Sequence, residues 1–496
     1  MAKWFKNIAM LACCFMAVFF VFTGCNGSGM AKFQENPAVT DDVYGNGSLA
    51  VTKGEYLYFV NGYISYSSVG DKNNGTGDSE YASLYRVKLD ANGHVVENDK
   101  EYDEDGKEIF DETQGIKDVD ILCKKVVGFE SMGLYIFGDY IYFATPNNEK
   151  DSSLNMQTSL VDFCRTKIDR SSGIEKLYTT TADNTKVSYA MYQVDNEVVL
   201  LVKDDAKLIA CKIINGKSQG YRVIENSITS VAFPKYSSST DVVTDLDKSV
   251  YYTRAIDSSK DSEKDLTGGN VLCKLVVKDL STEKLRADNK TTYSVLSTNG
   301  NFVAVSKTNN DLEDTLSGEV FAITNFAKES TDKQISKNAY TTILPVATDL
   351  GLQIIAYDST NKAIYKLNGV ASDAQNIYTG EATLVKVEGD YVYFIASSQL
   401  YRVNYVQGTD AESLVSGAIL ATAGNYFSIN ENYIYYLKNY TTNDTHEHEE
   451  DDVHAEYYLH MIDLNSTDED GKVYDHFVGV LMEENYLVDP SASTTA

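Results

Sequence analysis

The stretch HEHEEDDVH places His446, His448 and His454 among Glu447, Glu449, Glu450, Asp451 and Asp452. Imidazoles suit Zn²⁺, Ni²⁺ or Cu²⁺, and clustered carboxylates suit Ca²⁺. The spacing matches no closed structural zinc site, and no HExxH is present. The stretch therefore reads as a solvated acidic loop with weak divalent-metal affinity, and no resident cofactor is expected. A second candidate is EYDEDGKEIFDE, where Asp103, Asp105 and Glu112 echo a calcium loop that turns at Gly106. Glu101 opens it where Asp is usual, Glu108 fills the usual apolar position, and flanking helices are missing. Asp-Gly between strand-like runs is a hairpin signal, and DEDGK recurs at 468–472. No nucleophile elbow, P-loop or dinucleotide fingerprint occurs. His94, His460 and His476 are dispersed, with no Ser or Cys beside them to suggest a dyad. With 72 Asp and Glu, any pair could be named a glycosidase acid and base, so no catalytic residue is singled out.

The elements that must carry these loops are strands. GDYIYF at 138–143 returns as GDYVYF at 389–394, with NENYIYY at 430–436 as a looser copy. Related segments follow at EYLYFV, EVVLLV, SVYYTR, NFVAVS and GLQIIA, giving eight occurrences mostly about 40–60 residues apart, the interval of propeller blades. Each is followed by a second apolar strand such as SLYRVKLD or QLYRVNY, then a shorter one, and is preceded by another. Four strands joined by Gly, Asn and Asp turns describe an antiparallel blade. The fold is expected to be all-β: a single β-propeller over 46–488, of eight blades with seven as the alternative. Long polar insertions at 67–80, 145–159, 255–270, 307–318 and 439–456 all join a second strand to a third. In a propeller such loops emerge on one face, which makes that face the expected binding surface.

The 496-residue chain is 43% apolar, enough for a sizeable core, and its 36 Tyr against one Trp favour sheet. A formal charge of −29 repels phosphates and anionic headgroups, so nucleic acid is not an expected partner. Lys3 and Lys6 precede an apolar run from Ile8 to Phe22, short for a membrane span, as in a signal peptide over 1–24. Thr23 and Gly24 directly before Cys25 resemble a bacterial lipobox, with Phe22 where Leu is usual. That resemblance implies diacylglyceryl attachment at Cys25, a polar tether over 25–45, and a membrane-anchored protein facing outside the cytoplasm. Residues 489–496 read as a tail.

GDYVYFIASSQLYRVNY and NYIYYLKNY…YYLHMIDL resemble bacterial lipoprotein relatives of the low-density-lipoprotein-receptor YWTD-type propellers, although a consistent YWTD is lacking. The resemblance implies the fold and little about activity. Of seven Cys, four lie in the mature body. Cys164, Cys211 and Cys273 align with Tyr85, Tyr365 and Tyr401 of other repeats, on sheets packed about 10 Å apart, too far for a disulfide. Buried thiols are expected, with a Cys123–Cys164 bridge left open. The expected function is a non-catalytic, surface-anchored binding or scaffold module for a protein, peptide or cell-wall glycan. The alternatives are an exported carbohydrate-active or other hydrolytic propeller, and a metal- or solute-capturing lipoprotein.

Overall fold

The computed structural model describes residues 32–60, 84–96, 101–102, 108–109, 119–123, 133–147, 149–154, 157, 159–234, 249–257, 259, 261, 269–287, 290–298, 303–309, 315–323, 332–336, 340, 342–348, 351–367, 374–415, 427–443, 454–467, 473–478 and 486–488. Apart from one 3-10 turn at Asn184–Lys186, the described elements are strands. Most of them form eight antiparallel blades of four strands, each in chain order from the inner to the outer edge; Glu101–Tyr102 and Glu108–Ile109 make a separate hairpin, and Tyr486–Val488 adds to blade 8 by pairing with Tyr433–Asn443. Blade 7 runs Thr383–Glu388, Tyr391–Ala396, Gln399–Asn404 and Glu412–Val415. Inner strands touch one another from blade to blade: Ile228–Ala232 meets Thr291–Thr298, which meets Thr342–Thr348, which meets Thr383–Glu388. These strands surround the central axis.

Period-two alternation decides what each blade buries. In blade 7, Val392 and Phe394 pack on Ile355 and Ile364 of blade 6, while Tyr393 and Ile395 pack on Phe427 and Ile434 of blade 8. A single blade would leave one such face in water; the ring covers both. The ring closes where Tyr435, Leu459 and Met461 of blade 8 join the core of blade 1 around Leu57 and Phe59. Thr52 and Tyr435 hydroxyls meet at 3.3 Å, and His94 lies 2.8 Å from Asp463 across the same seam.

The repeated hexapeptide has two jobs. Its Gly starts the two-residue turn between first and second strands, at φ 55° for Gly54, 61° for Gly138 and 54° for Gly389. Asp195 and Glu431 hold the same corner at 54° and 50°, where a Cβ is strained. Asp195→Gly is therefore expected to raise stability by about 0.5–1 kcal/mol, read from urea unfolding. Its two tyrosines bracket a third-strand arginine. Tyr56, Tyr140 and Tyr391 lie 4.6, 4.3 and 5.0 Å from the guanidinium carbons of Arg86, Arg165 and Arg402. Tyr58, Tyr142 and Tyr393 stand directly opposite those arginines across the strand pair. A fourth-strand acid completes each unit: Asp120 at 3.1 Å, Glu175 at 2.8 Å and Glu412 at 2.8 Å.

Cys164, Cys211, Cys273, Tyr85, Tyr365 and Tyr401 occupy equivalent third-strand positions, opposite Phe143, Leu200, Tyr252, Phe59, Ala356 and Phe394. Cys123, Cys164, Cys211 and Cys273 are all buried thiols, and no disulfide joins Cys123 to Cys164. Burial pushes the Cys164 thiol up to about 12 and the others upward as well. Only thiolate reacts. In a chain starting at residue 26, no thiol should be alkylated by iodoacetamide at pH 8 until urea unfolds it, as mass spectrometry would read.

Residues 32–44 correct the expected tether. Composition alone makes them a polar linker, but they are strapped to the propeller. The Phe33 amide donates to the Asp169 carbonyl at 3.1 Å, and the Phe33 ring sits 3.6 Å from the Arg86 guanidinium and 4.8 Å from that of Arg170. The fully buried Lys53 ammonium donates to the carbonyls of Val39 at 3.1 Å and Gly138 at 2.6 Å. Val43–Tyr44 then pairs with Ala50–Lys53, adding a fifth strand to blade 1 on its inner edge.

Candidate functional site

First-to-second turns and third-to-fourth connections leave the blades at one end, called the lower face here. Second-to-third connections leave at the other, the upper face. Five of the latter are long: 61–83, 147–160, 255–270, 310–316 and 444–453, in blades 1, 2, 4, 5 and 8. Blades 3 and 7 turn with two residues, Asp205–Ala206 and Ser397–Ser398, and blade 6 with 359–362. The five insertions expected on one face do share the upper face, but long connections are not confined to it: 89–119 in blade 1 and 233–248 in blade 4 leave from the lower face. The expected 439–456 insertion is shorter, because strands Tyr433–Asn443 and His454–Thr467 pair out to Thr442 and His454.

In blades 2, 4, 5 and 6 a polar residue at the upper end of the second strand fastens the connection that follows, while its counterpart in blade 3, Asp204, ties down the end of blade 2. The Asn147 carbonyl oxygen accepts from the Glu149 amide at 2.7 Å, while its amide nitrogen donates to Asp162 at 3.3 Å. Asp204, fully buried, accepts from the Tyr178 hydroxyl at 2.6 Å, the Thr181 amide and hydroxyl at 2.8 and 2.9 Å, and the Ala182 amide at 2.9 Å. Burial works to raise the Asp204 pKa, but those donors outweigh it and hold the carboxyl below the usual range. Arg254 grips Asp261 through two bonds of 2.7 and 2.8 Å, and its Nε lies 3.4 Å from Glu225. Asn309 accepts from the Leu316 amide at 2.8 Å, and Asp358 from the amides of Thr360 and Asn361 at 2.9 and 3.0 Å.

The long loop of blade 4 is also stitched to its neighbour. Asn270 donates to the Tyr293 carbonyl at 2.7 Å and accepts from the Tyr293 amide at 2.8 Å. Beneath it, the hydroxyls of Thr229 and Ser230 lie 2.7 and 2.6 Å from that of Thr253. On the blade 2 loop, Leu154 is 75% exposed with φ at 68°. An aliphatic residue in the left-handed region costs about 1–2 kcal/mol, and here it also faces water.

His446 and His448, Asp103, Asp105 and Glu112, and Cys25 lie outside the described residues. Of His454 the structure gives only its place on a strand, opposite Thr442. Both DEDGK stretches connect paired antiparallel strands: Tyr102 pairs with Glu108, and Thr467 with Val473. Among the described residues no group of three or more His, Cys, Asp and Glu could hold a metal ion. Among the described residues, each carboxyl whose pKa is shifted is held below its usual value: Glu35, Asp90, Asp169, Asp204, Asp261, Asp279 and Asp463. In each case hydrogen-bond donors outweigh burial, which pushes the other way. Sequence reasoning missed the fastening residues. They are Asn, Asp or Arg from blade to blade, so they leave no repeat signal.

No family model and no curated protein matches the sequence. Solved structures do. A prolyl endopeptidase is 11% identical over 86% of this chain at TM-score 0.42, and the alignment takes in 55% of that enzyme. The β-propeller domain of the trilobed protease from Pyrococcus furiosus is 9% identical at TM-score 0.40, covering 76% of this chain and 99% of that one. An oligogalacturonate lyase from Vibrio parahaemolyticus is 12% identical at TM-score 0.38, covering 69% and 94%. The chain spans about half the length of the first of these, and likeness at this level decides no activity.

Proposed function

We propose that this chain is a lipid-anchored extracytoplasmic lipoprotein, attached at Cys25, whose propeller is a non-catalytic module that binds a protein, peptide or cell-wall glycan through its upper face. The reading is supported by one arrangement above all: five long connections on one face, three of them fastened at the base by a second-strand side chain. Rigid footings under variable tips are how scaffolds present contact residues. Among the described residues of these connections, Leu154 is an apolar side chain presented in the open.

The test is capture from cell-envelope extract with the chain from residue 26, beside a copy lacking 444–453 and a Leu154→Asp copy. One partner held by the parent, and reduced at least tenfold by either change, supports the proposal. Equal or empty capture by all three removes it, and turnover of a polysaccharide panel then becomes the next assay.

A further inference from the structure

From the course of the strap we infer that the lower face is seated against the lipid bilayer and the upper face is turned away from it. This rests on anchoring at Cys25, proposed above. The strap begins at the lower rim of blade 2, where Lys32 lies 2.8 Å from Asp169 in the third-to-fourth turn. It crosses the lower face through Asn36, whose side-chain oxygen accepts from Arg86 at 2.7 Å, and through Val39, held by Lys53. Lys88 of blade 1 adds a 3.0 Å contact to Glu35. Every fastening is on lower-face turns or the strands just inside them.

The strap leaves residues 26–31 between the proposed lipid site and Lys32. The seven steps from Cys25 to Lys32 reach at most about 25 Å. An eight-residue strand such as Glu197–Asp204 already spans roughly 23 Å, and the long second-to-third connections stand above that height on the upper face. A leash that short, leaving from the lower rim, cannot bring the upper face to the membrane without tearing the strap away. Three exposed apolar side chains also mark the lower face: Val39 on the strap at 58% exposure, Val96 after the third strand of blade 1 at 42%, and Val406 in the blade 7 turn at 53%. They suit the zwitterionic interface of a bilayer, whereas the chain's negative charge disfavours an anionic one.

The test uses the full lipidated chain on phosphatidylcholine vesicles that carry an energy-transfer acceptor in their headgroups. Donor dyes go on single introduced cysteines: Ser171→Cys and Gln407→Cys below, Leu154→Cys and Ser359→Cys above, all at exposed positions. With the seating inferred here, transfer from both lower positions exceeds transfer from both upper ones by at least threefold. A flexible spacer of about 20 residues inserted after Asn26 should abolish that difference, because it frees the reach without touching the fold. Equal transfer at all four positions in the unmodified chain, or the reverse order, overturns the seating while leaving the anchor intact. Failure of the full chain to associate with vesicles at all, equal to Cys25→Ser, overturns the anchor and the seating with it.

Discussion

Replacing Arg254 by methionine is expected to cost about 3–5 kcal/mol, because it strands a carboxylate that has nowhere to go. Asp261 has no side-chain exposure, and its two oxygens are met by the guanidinium and, at 2.8 Å, by the Asp257 amide. Methionine keeps much of the volume and removes the guanidinium donors. The partial remedy is a second change: Arg254→Met with Asp261→Asn should recover a good part of the loss, since a neutral amide is cheaper to bury than an ion. Urea unfolding of the parent, the two single variants and the double variant measures the coupling. The same pair gives a pH signature. The bond from Arg254 holds the Asp261 carboxyl at about 2, below the 3.8 of an ordinary Asp. A depressed folded-state pKa means its contribution is complete above about pH 4. It is then lost as pH falls toward 2. The parent should lose stability across that window, and the Arg254→Met chain should show a flatter slope there.

Gly133→Ala is the second large effect, at about 3 kcal/mol or more, and it acts through backbone rather than charge. A Cβ at Gly133 would lie 2.1 Å from the Gly47 carbonyl oxygen and 2.2 Å from its carbon. That contact exists because the entry to blade 1 is hydrogen-bonded to the entry to blade 2: the Gly47 amide donates to the Leu134 carbonyl at 2.6 Å, and the Leu134 amide to the Ser48 carbonyl at 2.9 Å. The Tyr189 hydroxyl of blade 3 also donates to the Gly133 carbonyl. Neither backbone can retreat without breaking those bonds. Gly173, with open space around its Cα, is the control, and alanine there should be neutral within about 0.5 kcal/mol. Thermal or urea unfolding of both variants decides the matter.

Much of the ring was legible in the residues, and the reason is physical. Alternation such as Tyr391–Ala396 encodes two buried faces at once, and a glycine before it encodes the turn. Repeating that pattern at blade spacing leaves little but a propeller. The shared register of Cys164, Cys211 and Cys273 with tyrosines was legible for the same reason, since a repeat aligns positions that a lone cysteine would not. The strap was not legible. Its anchor, Phe33, stands in a polar, linker-like stretch, and its partners Arg86 and Arg170 are far away in sequence, each also explicable within its own blade. Nor was the seat of the metal-like motifs: DEDGK reads as a hairpin by turn chemistry, and the paired strands on either side agree, but carboxylate spacing alone could not choose. For the upper face, topology foretold where the loops gather, while what fastens them is chosen blade by blade.

The four strands of each blade follow in chain order, broken only in blade 1 by the hairpin of Glu101–Tyr102 and Glu108–Ile109, and among the described residues no N-terminal strand is lent to blade 8. This sets an order of emergence. As the polypeptide is delivered from its N-terminus, each blade can zip its hairpins from neighbouring residues and lay one face on the blade already standing. Nothing has to be kept unfolded for hundreds of residues as a partner for the end. A nascent chain stopped after Val415 would be an arc of seven finished blades with one apolar flank bare. Only the last contacts, Tyr435 against Thr52 and Asp463 against His94, wait for the whole length to arrive.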